Sequence, residues 1–141
     1  MKADAHTAGE IEAVIKALTV AYKTRNLNDV MACIAPDSDV VLYGTGVDEK
    51  RIGPEQIRFQ VERDWNQTES IEMSFTSNSI STAGNVAWAA MDGVFNIRAQ
   101  GQDMTLPIRV SFVLEKRAGK WLIVHSHFSM PAAGQDEGRS I

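Results

Sequence analysis

A single cysteine, four prolines and no basic excess remove several classes of protein at once. Cys33 has no partner within the chain, so neither an internal disulfide nor a thiolate metal cluster can form. The sequence suits a reducing compartment, and a cytoplasmic location is expected. In the apolar run Val30-Met31-Ala32-Cys33-Ile34 the thiol reads as a small hydrophobe of a helix core. Fourteen Lys and Arg stand against 18 Asp and Glu, a formal charge of −4, with no basic run. Without clustered cations no nucleic-acid partner is expected. Nowhere do about 18 apolar residues follow one another, and the first residues lack the apolar stretch of a leader, so no membrane partner is expected either. What is present, 44% apolar and 23% charged residues among 141, suits one globular domain with its own core.

Thr7-Ala8-Gly9-Glu10 has the form of a capping box, and Ile11, Val14 or Ile15, Leu18 and Tyr22 follow at helical spacing, predicting a helix over about residues 8–25. Asn26 can cap a second, shorter helix with Leu27, Val30, Met31 and Ile34 on its core face, which Pro36 stops. Val40-Val41-Leu42-Tyr43 fits a short strand ending in glycine. Gly53-Pro54 opens a third helix, where Ile57, Val61 and Trp65 recur every fourth residue. From Ile71 onward the period becomes two. Turns at Ala83-Gly84-Asn85, Gln100-Gly101-Gln102 and Arg117-Ala118-Gly119-Lys120 divide a four-stranded meander, with Asp92-Gly93 a bulge or bend. In the last strand, Trp121, Ile123, His125, His127 and Ser129 alternate with Leu122, Val124, Ser126, Phe128 and Met130. Both of its faces therefore need cover. Helices followed by a long meander predict an α+β fold with three N-terminal helices packed on a curved, mainly antiparallel sheet. So short a chain covers one sheet face with its helices, and the other face is expected to meet a second copy in a homodimer.

This order of elements, and the closing run Trp121-Leu122-Ile123-Val124-His125-Ser126-His127-Phe128-Ser129-Met130-Pro131, resembles the SnoaL-like branch of the nuclear transport factor 2-like superfamily. Asn26-Leu27-Asn28-Asp29, Gly53-Pro54-Glu55-Gln56 and Val86-Ala87-Trp88 add to the likeness. It spans about residues 8–131, leaving residues 1–7 and 132–141 as expected flexible ends. The ending is also similar to the association domain of calcium/calmodulin-dependent kinase II, an oligomerisation hub. The resemblance implies a cystatin-like conical half-barrel enclosing one apolar pocket for a small organic molecule, commonly in a dimer. It is compatible with cofactor-independent isomerases, dehydratases and cyclases, and equally with carriers and assembly modules. Ketosteroid isomerases of this superfamily use a helix-one Tyr, a base Asp and a buried Asp. Those positions fall here on Leu18, on Leu42 beside Tyr43, and near Ser111, so that triad is absent.

The residues leave several candidates. His125 and His127 project from one strand face, as a proton shuttle or as structural histidines; a metal site would need a third ligand, and none is expected. The resemblance turns Ser126 and Phe128 toward the pocket. Arg109, if inward, would select a carboxylate; otherwise it pairs with Glu115, Glu72 or Asp92. Trp65 and Trp88 are flat surfaces suited to a cavity wall or to the core. Tyr43, Asp92 and His127 are the acid/base candidates, and Trp65, Trp88, Arg109, Ser111, Ser126 and Phe128 the pocket candidates; no cofactor is expected.

Overall fold

The computed structural model describes all 141 residues. Helix α1 (Ala5–Lys23) begins earlier than its sequence predicts, because Asp4 rather than Thr7 caps it, accepting the Thr7 amide at 2.7 Å. Glu10, freed from a capping box, instead accepts from the Trp121 indole at 2.8 Å and from Lys116 at 3.2 Å. Ahead of α1 the chain also meets the sheet. Lys2 bridges to Ser81, and the Ala3 amide donates to the Ile80 carbonyl at 3.0 Å. Helix α2 (Leu27–Ala32) is capped by Asn26, which accepts from the Asp29 amide at 3.0 Å. Strands β1 (Val41–Tyr43) and β2 (Lys50–Ile52) form a small hairpin, of which the sequence reading had only the first arm. Helix α3 (Pro54–Asn66) starts at Gly53-Pro54 as read. The meander follows as β3 (Ser70–Ala83), β4 (Val86–Ala99), β5 (Gln102–Arg117) and β6 (Lys120–Ser129). No helix is long and apolar enough to cross a membrane.

The six strands form one sheet in the order β2-β1-β6-β5-β4-β3, antiparallel except where β1 runs parallel to β6. The three helices lie over its inner face and bury Ile11, Ile15, Leu18 and Tyr22 from α1, Val30 from α2, and Ile57, Val61 and Trp65 from α3. The sheet answers with Ala87, Ala89 and Met91 of β4 and Ile108, Val110, Phe112 and Leu114 of β5. Each set repeats every second residue, because a strand turns alternate side chains to one face. This is the α+β cone expected, with helices on one side and the other sheet face uncovered.

Two irregularities correct the sequence reading. The predicted break at Asp92-Gly93 is absent: both residues stay in the ladder, opposite Thr76 and Phe75, and the shift falls on β3 between Ser77 and Ser79, opposite Met91 and Ala90. A second shift separates Val113, which pairs with His125, from Leu114, which pairs with Ile123, so Val124 is the extra residue of a bulge. The alternation of β6 therefore changes hand at Val124. Trp121 and Ile123 point inward, and so do Ser126 and Phe128, while His127 is exposed on the other face. Simple period-two counting had set Trp121 and Ile123 with the histidines. Cys33 is buried, and burial pushes its thiol pKa up, which keeps it inert.

Candidate functional site

Between the helices and the inner sheet face lies a cavity of about 240 Å³. Its floor is aromatic. Phe112 meets Phe128 edge-on at 5.8 Å, and Phe128 stacks on Phe95 at 6.1 Å. Leu18, Val30, Ile34 and Leu42 add aliphatic wall, and Thr45 and Gln67, both exposed, stand at its rim. Such a space takes an apolar body; a cavity of about 150 Å³ is enough for a benzene ring.

One corner is polar, and helix spacing puts it there. Ile57, Gln60, Val61, Asp64 and Trp65 fall three and four apart, so Gln60 and Asp64 share the buried face of α3 with its apolar residues. Gln60, 4% exposed, donates from Nε2 to Asp64 Oδ1 at 2.7 Å and to Glu49 Oε1 at 3.3 Å, and its Oε1 accepts from Arg51 at 2.9 Å. Tyr22 of α1 donates its hydroxyl to Asp64 Oδ2 at 2.8 Å. The end of α1 is clamped to α3 to hold that contact: Arg25, at φ 59°, donates to the Trp65 carbonyl at 2.6 Å and the Thr68 carbonyl at 2.9 Å. Such a φ is uncommon for a residue with a side chain, and the two guanidinium bonds offset it. Trp65 backs the Tyr22 ring at 6.0 Å and donates its indole N–H to the Tyr22 carbonyl at 3.0 Å.

The charges at this corner are unequal. Glu49 is neutralised by Arg63 at 3.1 Å and also accepts the Gly46 amide at 2.8 Å. Asp64 makes two hydrogen bonds but no salt bridge. Burial pushes its carboxyl above the ordinary carboxylate range, against the two hydrogen bonds that pull it down, and the nearby Glu49 charge adds to the rise. Burial and the Asp64 charge likewise push the Tyr22 hydroxyl up, so it remains a donor.

A pH dependence follows. A carboxyl whose folded pKa is raised binds protons in the fold that it releases in the unfolded chain, so its contribution to stability falls as pH rises from about 4, the unfolded Asp value, through the raised one. The difference in melting temperature between the natural chain and Asp64→Asn is therefore expected to move in favour of the variant between pH 4 and 7. Thermal denaturation across that range checks it, and a difference independent of pH would place Asp64 in ordinary solvent.

The predicted site residues divide by face. Ser126 and Phe128 border the cavity. Leu18 and Leu42, the positions the resemblance matched to the Tyr and the base Asp, border it as well, while Phe112 rather than Ser111 does so on β5. Arg109 and Ser111 are exposed on the outer face, because their neighbours Ile108, Val110 and Phe112 take the inward half of the pleat. No acid pairs with Arg109: it donates to the Met130 carbonyl at 3.2 Å, while Glu115 pairs with Arg117 and Glu72 with Lys23. Trp88 also faces outward, and Trp65 stands behind Tyr22 instead of on the cavity wall. Tyr43, His127, Ser111 and Ala90 pair in one row across the outer face, with Arg109 and Asp92 in a row beside it. There the Tyr43 ring lies 5.0 Å from His127, and Asp92 accepts from Asn78 at 2.8 Å. Sequence reasoning missed Tyr22, Gln60, Asp64 and Glu49. The available signal was two polar residues on the apolar stripe of the third helix.

Three helices roofing one face of an open, mainly antiparallel sheet, with a cavity between the layers, define a protein of the nuclear transport factor 2-like class. Within that class the profile described as the SnoaL-like domain matches residues 11–133, and the chain belongs to that family. A Xanthomonas campestris protein named for the calcium/calmodulin-dependent protein kinase II association domain is similar at 28% identity, over 94% of this chain and 95% of that one, with a TM-score of 0.76. A Streptomyces avermitilis protein named as a dehydratase of the NTF2-like family shares 14% identity over 89% and 96%, at a TM-score of 0.79. A Novosphingobium aromaticivorans protein named as a scytalone dehydratase shares 11% over 89% and 85%, also at 0.79. The last two likenesses show the fold alone. No curated protein matches the sequence.

Proposed function

We propose that this chain binds a small, mainly apolar organic molecule in the cavity and that Asp64, held by Tyr22 and Gln60, exchanges a proton with it. The observation that carries this reading is a largely buried carboxyl without an ionic partner, at the wall of an apolar cavity. Raised carboxyls of this kind serve as general acids and bases near neutral pH. The reaction class is a cofactor-independent isomerisation, dehydration or cyclisation, in which the carboxylate takes a proton from the ligand and returns it. Tyr22 supplies a fixed hydrogen bond that orients the carboxyl.

The outer sheet face is the surface for a second copy. Tyr43, 38% exposed, supplies apolar area there, beside the half-buried Trp88 and Val94. His127→Glu, which sets a further acid on the face that carries Asp92, is expected to raise the dimer dissociation constant about tenfold or more, read by sedimentation. An unchanged constant would move the interface elsewhere.

A second reading has one specific support: the likeness to the association-domain relative at 28% identity favours an assembly module. Native mass spectrometry of freshly purified protein, followed by denaturing analysis of released small molecules, separates the two. A dimer carrying a defined organic mass is the expected result. A ligand-free larger ring would favour assembly.

A further inference from the structure

The hydrogen-bond inventory of the cavity narrows its ligand. We infer that the cavity takes a small aromatic or alicyclic amine, bound as its ammonium against Asp64, and turns away carboxylic acids. This rests on the small-molecule reading above and gives it a chemical class.

The donors buried at the polar corner are already spent; Thr45 and Gln67 offer theirs only at the exposed rim. The Tyr22 hydroxyl and the Gln60 amide both point their protons at carboxylates, and the Gln60 carbonyl is used by Arg51. The cations nearby are directed away from the cavity: Arg63 to Asp48 and Glu49, and Arg25 to the Trp65 and Thr68 carbonyls. No Lys, Arg or His borders the cavity, whereas Asp64 and Glu49 do. The free valences at this corner are therefore acceptors, and a ligand must bring the donor. Charge decides between a hydroxyl and an ammonium. Buried charges are as a rule paired, and Asp64 has hydrogen bonds but no counter-ion. An ammonium would supply it; a carboxylate would add a third acid to a corner whose field already raises Asp64.

The sheet wall of the cavity supplies an independent observation. Ser126, 6% exposed, borders the cavity between Phe112 and Phe128, and its hydroxyl has no protein partner. A hydroxyl left open toward an otherwise aromatic floor is a second anchoring point, able to donate or accept. The ligand so defined is a ring or short hydrocarbon body with an ammonium facing Asp64 and room for one polar substituent at Ser126.

Three probes of one shape test this on the intact chain: benzylamine, benzyl alcohol and benzoate, titrated by calorimetry at pH 7.5. Benzylamine is expected to bind about tenfold or more tightly than benzyl alcohol, the difference set by one charge-assisted hydrogen bond, with benzoate the weakest of the three. Asp64→Asn should bring the amine-to-alcohol ratio close to one, and Glu49→Gln should reduce it less. Equal binding of amine and alcohol, or tighter binding of benzoate, overturns the amine assignment and leaves the small-molecule reading standing. No binding of any probe overturns both. An amine preference that survives in a folded Asp64→Asn protein overturns the role given to Asp64.

Discussion

Gly93→Ala is expected to cost about 3 kcal/mol or more in denaturant unfolding, a large effect for one methyl group. A Cβ at this position would lie 2.1 Å from the Ser74 carbonyl oxygen and 2.7 Å from the Phe75 ring. The nearer obstacle is backbone, so no rotamer change relieves it; β3 would have to move off β4. The backbone angle at Gly93 is one that any residue adopts, and the requirement is wholly one of space. Because Phe75 meets Phe112 at 6.0 Å and Phe128 at 6.4 Å, displacement of β3 should also loosen the cavity floor and weaken ligand binding. A loss below about 1 kcal/mol would show that the two strands do not approach so closely.

Phe112→Ala should be comparably severe, at about 3–5 kcal/mol. The side chain is 0% exposed, and its ring is the common neighbour of Phe75 and Phe128, both met edge-on, an arrangement that adds to plain burial. Its position at the cavity wall shapes the second consequence. The void left by the ring would join the existing space of about 240 Å³ instead of forming a sealed bubble. The variant is therefore expected to accept bulkier ligands while losing stability, and Phe112→Leu should fall between the two. A variant less stable by the stated amount but with unchanged ligand size preference would separate Phe112 from the cavity.

These two positions mark what the chain makes legible and what it hides. The alternation Ile108, Val110, Phe112, Leu114 is uninterrupted and marks one apolar face of β5, although Arg109 and Ser111 of the opposite face stood among the pocket candidates. On β6 the same counting failed, because Val124 is bulged and the side chains change hand in mid-strand. Nothing in Ile123-Val124-His125 signals an extra residue; the bulge is visible only once β5 lies alongside. The resemblance carried the fold further than patterning did, down to the inward placement of Ser126 and Phe128. It offered no polar group for the cavity, since Leu18, Leu42 and Ser111, the positions matched to the ketosteroid isomerase triad, carry none of its groups. The polar group of this cavity sits on Tyr22, one helical turn beyond Leu18, and on α3. Hydrogen bonds joining residues 42 positions apart, as between Tyr22 and Asp64, have no local trace. The hairpin arm β2 was missed for a similar reason: three residues, Lys50-Arg51-Ile52, carry no periodicity, and their strand character comes from pairing with β1.

The place of β6 in the sheet bears on how the chain reaches its native state. It is the last strand in sequence, yet it lies between β1 and β5 and is the one strand that joins the N-terminal hairpin to the meander. Until it is in position, β1 and β2 have no sheet to join, and Ala35 and Ile123, which bond through the Ile123 carbonyl and Ala35 amide at 2.9 Å, remain apart. The β3-β4-β5 hairpins close locally, but the roof of helices over the inner face depends on pairings between residues about 80 positions distant, such as Val41 with His125. Folding should accordingly be limited by loop closure, in the slower millisecond-to-second range of proteins rich in non-local pairing.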